Sequence, residues 1–172
     1  MVSLTLQVNG ADGAIRDLAA AAVRVNRGGP AFKVIAVRLW RDTQDNFRQG
    51  GRWPSKWAPL KHRTGVILVK TAVLKNSISS ASDANSASVG TDVKYAAVHQ
   101  LGRGPFTVTA KRGKALAFSI GGNLLFRRSV HIPGIPARPF LPVDASGNLR
   151  PDTETFIVRT LQNWIARGEA SP

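Results

Sequence analysis

The sequence lacks cysteine, long apolar runs and, over its central part, acidic residues. Without cysteine there can be no disulfide, no thiolate nucleophile and no cysteine-ligated zinc site. This absence agrees with synthesis in a reducing cytoplasm. The longest apolar runs are too short to cross a bilayer, and the first ten residues, MVSLTLQVNG, lack the basic region of a signal peptide. We therefore expect no membrane partner.

The shortage of acidic residues leaves a large positive charge. Lys and Arg number 24 against 10 Asp and Glu, which gives a formal charge of +14. Residues 46–143 hold 15 of the basic residues and only two acids, Asp83 and Asp92. This charge favours a polyanionic partner, either nucleic acid or an acidic protein face. A solvated basic surface without a dedicated partner stays open as the alternative.

Residues that carry chemistry are also scarce. The three histidines, His62, His99 and His131, do not stand at metal-ligand spacing. The acids are too few for a two-carboxylate site, and neither a nucleophile elbow nor a phosphate-binding glycine loop is present. We expect no enzyme activity, no catalytic residue, no metal and no cofactor. A hydrolase, the alternative, would depend on Asp83, Asp92 or His99.

Apolar spacing predicts three main helices. Apolar residues recur at helical intervals, with glycine or proline at the boundaries. The predicted helices span residues 12–25, 30–49 and 151–167. The first helix has one apolar face, formed by Ile15, Leu18, Ala19 and Ala22. Because a Gly-Gly-Pro break separates the first two helices, they are predicted to form a helical hairpin.

The other predicted elements are short. Leu4, Leu6 and Val8 alternate with polar residues, which predicts a strand at 3–8. A short helix turning into a strand, a further strand and a second short helix are predicted at 67–78, 89–91 and 95–101. The fold class is therefore α+β, with an antiparallel sheet packed against the N-terminal helical hairpin and the C-terminal helix. We expect a single domain, 1–172.

Residues 103–132 are predicted to form a β-hairpin arm that protrudes from this domain. Alternating runs at 106–109, 116–120 and 124–132, with turns at 111–113 and 121–122, predict a meander. The basic residues of the arm lie at one hairpin tip and on the returning strand: Lys111, Arg112, Lys114, Arg127 and Arg128. We expect them to contact DNA phosphates or an acidic neighbouring subunit. The alternative is that these charges only prevent aggregation through the strand edges.

The segment 50–65 contains Trp53 and Trp57 among prolines and basic residues. Tryptophan buries a large area and carries one hydrogen-bond donor, so we expect both side chains to anchor the loop to the core. Base stacking is the alternative, but stacking platforms normally lie on sheets or in open grooves.

Four short strings stand in a fixed order between residues 57 and 141. They are Trp57-Ala58-Pro59-Leu60 with Thr64, Ile67-Leu68 with Leu74 and Ser77-Ile78, Val89-Gly90-Thr91 with YAAVHQLG at 95–102, and IPARPFL at 135–141. Together they resemble the phage virion morphogenesis family. Ala72 departs from the family, which commonly has glycine there, and 103–132 matches no part of its pattern. The matched residues are Trp57, Pro59, Leu60, Thr64, Leu74, Gly90, Tyr95, His99, Gly102, Pro136, Arg138, Pro139 and Phe140.

The resemblance implies a structural, non-enzymatic virion protein of Mu-like tailed phages, acting late in assembly at tail completion or head–tail joining. It implies a ring, commonly sixfold, with a channel for DNA, assembled in the host cytoplasm and placed at the virion neck. Its partners would be further copies of itself, the head connector, the tail-terminator or tail-tube proteins, and DNA without sequence specificity. A free nucleic-acid-binding protein is the alternative, although no helix-turn-helix, zinc finger or RNP-type motif is present.

The matched residues also have structural roles that physical chemistry suggests. Gly90 and Gly102 suit turns that need a positive φ. Arg138 can donate a bidentate hydrogen bond to a carboxylate or a carbonyl. The large side chains serve as anchors: Trp57, Leu60, Tyr95 and Phe140. We expect the matched residues to define the fold and the subunit contacts, not a reaction.

Overall fold

The computed structural model describes residues 11–60, 64–111 and 113–172. The predicted strand at 3–8, His62 and Arg112 lie outside the described residues. The elements, in chain order, are α1 Ala11–Val25, α2 Gly29–Gln49, α3 Val73–Asn76, β1 Ser79–Ser82, β2 Ala87–Gly90, α4 Ala96–Leu101, β3 Phe106–Thr109, β4 Leu116–Ile120, β5 Asn123–Arg127, β6 Ser129–Ile132 and α5 Pro151–Arg167. No helix in these described ranges is long and apolar enough to span a membrane.

The longest helix, α2, is the element on which the others pack. Pro30 lies in its first turn, and Gly50 ends it with a left-handed φ of 66°. Strands β1 and β2 pack against α2, and so does α5. The buried side of α2 mixes apolar and polar residues: Ala31, Ile35, Ala36, Leu39, Asp42, Thr43, Asn46 and Phe47. The predicted helical periodicity is therefore confirmed, but the buried side of α2 also carries three polar residues, which need hydrogen-bond partners.

The antiparallel pairing is divided among three two-stranded sheets in the described residues. β1 pairs with β2, from Ser79 opposite Gly90 to Ser82 opposite Ala87. The expectation of a positive φ at Gly90 is wrong, because this glycine is a paired strand residue and its backbone is not left-handed. The same expectation is confirmed at Gly102, whose φ is 74°.

Strands β3 to β6 form one long ribbon, which we call the β-ribbon (residues 106–132). β3 pairs with β6 and β4 pairs with β5, so the predicted meander is wrong. Ala110 N donates to Arg128 O (2.9 Å), which carries the ladder from one pair to the next. Only Arg128 separates β5 from β6 on one side of the ribbon, whereas the chain between β3 and β4 is longer, so it forms an insertion in one strand. The hairpin tip is Gly121-Gly122, with φ of 58° and 85°, as a tight two-residue hairpin turn requires.

Helices α1 and α5 meet through side-chain bonds to backbone carbonyls. Arg24 Nε donates to Ile165 O (2.8 Å), and Trp164 Nε1 donates to Arg24 O (2.9 Å). The predicted apolar face of α1 is not buried, since Ile15 is 62% and Leu18 is 70% exposed. α1 packs against α5 near its C-terminal end instead. Helical spacing identifies an apolar face but does not say what covers it.

The predicted fold class is confirmed. The molecule has an N-terminal helical pair, small antiparallel sheets and a C-terminal helix, which make it α+β. Helix α5 has the predicted bounds, and Gly168 ends it with a φ of 78°. The short helix at 96–101, bounded by Tyr95 and Gly102, is also confirmed.

Ala72 adopts a left-handed conformation with φ of 56° at the start of α3. This backbone strains a residue with a Cβ. We expect Ala72→Gly to raise the free energy of unfolding by about 0.5–1 kcal/mol, the relief of strain exceeding the added unfolded-state entropy. Chemical denaturation measures this. Ala20→Gly, in α1, is the control and should lower stability by about 1 kcal/mol; equal losses in both variants would refute the strain.

Candidate assembly surface

Three aromatic residues from distant parts of the chain form the centre of the core. The ring of Phe47 lies 5.8 Å from that of Trp57, edge to face, and 5.5 Å from that of Phe140. Each of the three is 5% exposed or less. The buried set is completed by Leu74, Ile78 and Ala96. Burial of these side chains thus brings all four matched strings together around α2.

Trp57 fastens the 57–60 string to the 135–141 string. Its Nε1 donates to Pro139 O (2.8 Å), and its backbone N donates to Gly50 O (2.9 Å). Gly51, at φ of 90°, lies so close that a Cβ there would stand 2.7 Å from Trp57 Cδ1. The anchoring role expected of Trp57 is therefore confirmed. Trp53 is half-buried and takes part through its backbone.

Arg138 makes a second link between the same two strings. Its Nε and Nη2 both point at Ala58 O, at 3.4 and 3.3 Å. Its backbone N donates to His99 O (2.7 Å). The acceptor is a carbonyl, one of the two kinds that the sequence suggested. At Gly102 a Cβ would stand 2.8 Å from Ala137 N, so only glycine permits this approach.

Sequence reasoning missed two amides that hold this region. Asn46 Nδ2 donates to Phe140 O (3.1 Å), while its Oδ1 accepts from Arg52 N (2.9 Å) and Trp53 N. Gln100 Oε1 accepts from Phe140 N (2.9 Å) and from the next backbone N–H. The signal for Asn46 was present, since a polar residue on the buried stripe of α2 must find partners.

His99 is a packed histidine. Its ring meets Tyr95 edge to face at 5.7 Å, and its Nδ1 is buried with no hydrogen-bond partner among the described residues. Burial, followed by the charge of Arg138, lowers the pKa of His99 below its ordinary value of 6.5. The ring is therefore neutral at pH 7. A neutral, half-buried ring fits packing better than exchange of protons.

The remaining matched residues lie nearer the surface. Tyr95 is 45% exposed, and Leu60 is half-buried. Three others are exposed: Pro59, Thr64 and Pro136. The role of the matched residues in subunit contacts stays a prediction, and these surface members are the ones that a neighbour can reach.

The β-ribbon presents apolar side chains on both faces. Phe126 and Leu124 point to one face, and Ile120 to the other, as the pairing of β4 with β5 requires. They are 57%, 63% and 62% exposed. The ribbon strands pack chiefly against one another. Because an isolated two-stranded ribbon is marginal in water, this surface is suited to a protein partner.

The basic residues of the ribbon lie together at its middle, not at a hairpin tip as predicted. Lys111 and Lys114 belong to the insertion, Arg127 ends β5 on the opposite side, and Arg128 lies between β5 and β6. We call these four residues the basic joint. All four are exposed, and none has an acidic partner within the part of the chain that the structure describes.

A buried ionic network joins α2 to α5. Asp42, with its side chain 4% exposed, accepts a hydrogen bond from Arg38 Nε (2.9 Å) and forms an ion pair with Arg150, whose Nη2 lies 3.1 Å from Oδ1. Thr153 Oγ1 also donates to this carboxylate. Burial lowers the pKa of Arg150, but the carboxylates of Asp152 and Asp42 outweigh that effect and raise it overall. No local pattern in the sequence indicates this network.

The acids that a hydrolase would need are engaged elsewhere or isolated. Asp83 Oδ1 accepts from the backbone N–H groups of Asn85 and Ser86 (2.7 Å each), and these turn bonds lower the pKa of Asp83. Asp92 is exposed. Among the described residues, no group of three histidine or acidic side chains is placed to hold a metal ion.

Comparison with known proteins identifies the family. The model of the phage virion morphogenesis family matches residues 7–165. The chain is 32% identical over 162 residues to Mu-like prophage FluMu G protein 2 of Haemophilus influenzae, covering 94% of this chain and 96% of that protein. No solved structure matches significantly. The chain belongs to the phage virion morphogenesis family, and its role is that of a structural component of the phage virion.

Proposed function

We propose that the protein forms a ring at the head–tail neck, completes the tail and joins it to the head connector. The observation that carries this proposal is the β-ribbon, whose apolar side chains Ile120, Leu124 and Phe126 stay exposed on two faces in the described part of the chain. A ring neighbour would supply that cover through a heterologous contact, in which each subunit uses two different surfaces. Sixfold symmetry, assembly in the host cytoplasm and a final place at the virion neck belong to the same proposal.

The basic joint fits the partners proposed for the neck. Four exposed cations close together attract phosphates of DNA in a channel, or acidic faces of the head connector and the tail-terminator or tail-tube proteins. A free nucleic-acid-binding protein is the second candidate, and the same joint supports it. Steep salt dependence of DNA binding by the isolated chain would favour the second candidate.

Electron microscopy of lysates tests the joining role. A phage lacking this gene should yield filled heads beside complete, unattached tails. Joined, infectious particles would refute the proposal, and missing or abnormally long tails would place the protein inside tail assembly instead.

The β-ribbon is tested by Leu124→Ser combined with Phe126→Ser. Because both side chains are exposed in the free chain, we expect little loss of folding stability but a loss of joined particles of at least tenfold. Complementation of the deleted phage and plaque counts measure this. Val73→Ser, at a residue 51% exposed outside the ribbon, is the control and should complement normally. Normal complementation by the ribbon variant would exclude the ribbon as an assembly contact.

A further inference from the structure

A groove between α2 and α5 combines an apolar floor with an excess of positive charge. Its volume is about 650 Å³. Val34, Val37 and Phe156 supply the apolar lining. The charged lining consists of Lys33, Arg38, Arg41, Asp42, Asp45, Arg52, Arg150 and Asp152. No part of the proposed neck function uses this groove.

The charges within the groove do not cancel. Arg38 and Arg150 are held by Asp42 and Asp152. Asp45 is shared between Arg52, at 4.0 Å, and Arg48, outside the groove lining. Lys33 and Arg41 are exposed, and neither has an acidic partner within the described ranges of the chain. These two cations are therefore available to an external acidic group.

The two free cations flank an exposed apolar residue on the same stripe of α2. Lys33, Val37 and Arg41 stand four residues apart, so they lie on one side of the helix. Eight residues of helix rise by about 12 Å between the first and the last. Val37 is 40% exposed although it faces an otherwise apolar floor. A matching ligand would place an apolar group between two negative charges at that distance.

Two kinds of occupant fit this surface poorly. A second copy of the chain has only 10 acids against 24 basic residues, so it offers few acidic segments to a basic groove, and its contact in the proposed ring is made by the β-ribbon. DNA offers phosphates but no apolar side chain for the floor. Base stacking is also disfavoured, because the guanidinium of Arg38 covers the Phe156 ring at 4.8 Å. An acidic segment of another protein fits better, because it can offer both carboxylates for the two cations and an apolar side chain for the floor.

We propose that the α2–α5 groove docks an acidic helical segment of another protein, with the pattern Glu-x-x-x-Leu-x-x-x-Glu. The two carboxylates pair with Lys33 and Arg41, and the leucine fills the floor beside Val37. Residues four apart lie on one side of a helix, so the two carboxylates of the ligand are separated by about the same distance as Lys33 and Arg41. The charges set the orientation of the segment, and the apolar contact limits binding to proteins.

The test uses the full-length chain and a fluorescein-labelled synthetic helix containing this pattern once. Fluorescence anisotropy should show saturable binding, at least tenfold weaker for Lys33→Glu combined with Arg41→Glu. A peptide with serine in place of the leucine should also bind at least tenfold more weakly. The matched control, Lys56→Glu with Lys94→Glu, makes the same change of charge at exposed residues outside the groove. It should change the affinity less than threefold.

Three results would overturn the proposal. Equal losses in both double variants would mean a general charge effect. If the serine peptide binds as tightly as the leucine peptide, the apolar contact does not contribute to binding. A 20-bp DNA duplex that competes with the peptide, and that loses affinity with Lys33→Glu and Arg41→Glu alone, would make the groove a phosphate-binding surface.

Discussion

Replacing Asp42 by alanine is expected to lower the free energy of unfolding by about 3–5 kcal/mol. The cost arises because the guanidinium of Arg150, with its side chain 7% exposed, would lose its buried partner. Arg38 and Thr153 would lose the same acceptor. Urea denaturation followed by circular dichroism measures the change, and a shift of about 2–4 °C in Tm is expected for each kcal/mol.

The Asp152→Ala variant is the comparison: it removes a more exposed carboxylate of the same network, whereas Asp42→Ala removes the buried one. Asp152 accepts two hydrogen bonds from the buried Arg150, but its own side chain is 51% exposed, so water can replace part of what is lost. Its removal should cost about 1.5–3 kcal/mol, less than that of Asp42. The double change Asp42→Leu with Arg150→Leu should recover part of the loss, because it leaves no unpaired charge. If Asp42→Ala costs no more than Asp152→Ala, the network does not hold α2 to α5.

The sequence predicted the elements whose own periodicity determines them. Helix α5 has the predicted bounds, since apolar spacing runs from Phe156 to Trp164 between a proline and a glycine. The ribbon was harder, because Lys111-Arg112-Gly113 and Gly121-Gly122 both carry turn residues. Only pairing between residues far apart, such as Phe106 with Ile132, distinguishes one long hairpin from a meander.

The candidate surfaces could be predicted only in part. The matched strings located the aromatic centre, because large side chains at fixed positions indicate packing. The α2–α5 groove and its network depend on contacts between residues more than 100 positions apart, such as Asp42 and Thr153. No local pattern contains that information. The sequence does place the polar residue Asp42 on the buried stripe of α2, which indicates that it must have a partner but not which one.

Trp57→Ala is expected to lower the free energy of unfolding by about 3–5 kcal/mol, the usual cost of removing a large buried aromatic side chain. The variant loses the packing against Phe47 and the hydrogen bond from Nε1 to Pro139 O. Trp57→Phe keeps most of the packing and loses the bond, so it should cost about 1–2 kcal/mol. Urea denaturation of each variant gives these differences. Trp53→Ala, at a half-buried tryptophan of the same loop, is the control and should cost less than Trp57→Ala.

The same variants separate a structural role of the matched residues from a role in partner contact. If Trp57 acts through the fold, complementation of a deleted phage should fall in step with stability, and Trp57→Phe should complement better than Trp57→Ala. Lowering the growth temperature should then restore part of the function. A Trp57→Ala variant that folds stably but does not assemble would contradict this, because a side chain 5% exposed has no surface to offer until the chain changes shape. In that case the hydrogen bond between Trp57 Nε1 and Pro139 O would have to break during assembly, so that the Trp57 side chain becomes accessible.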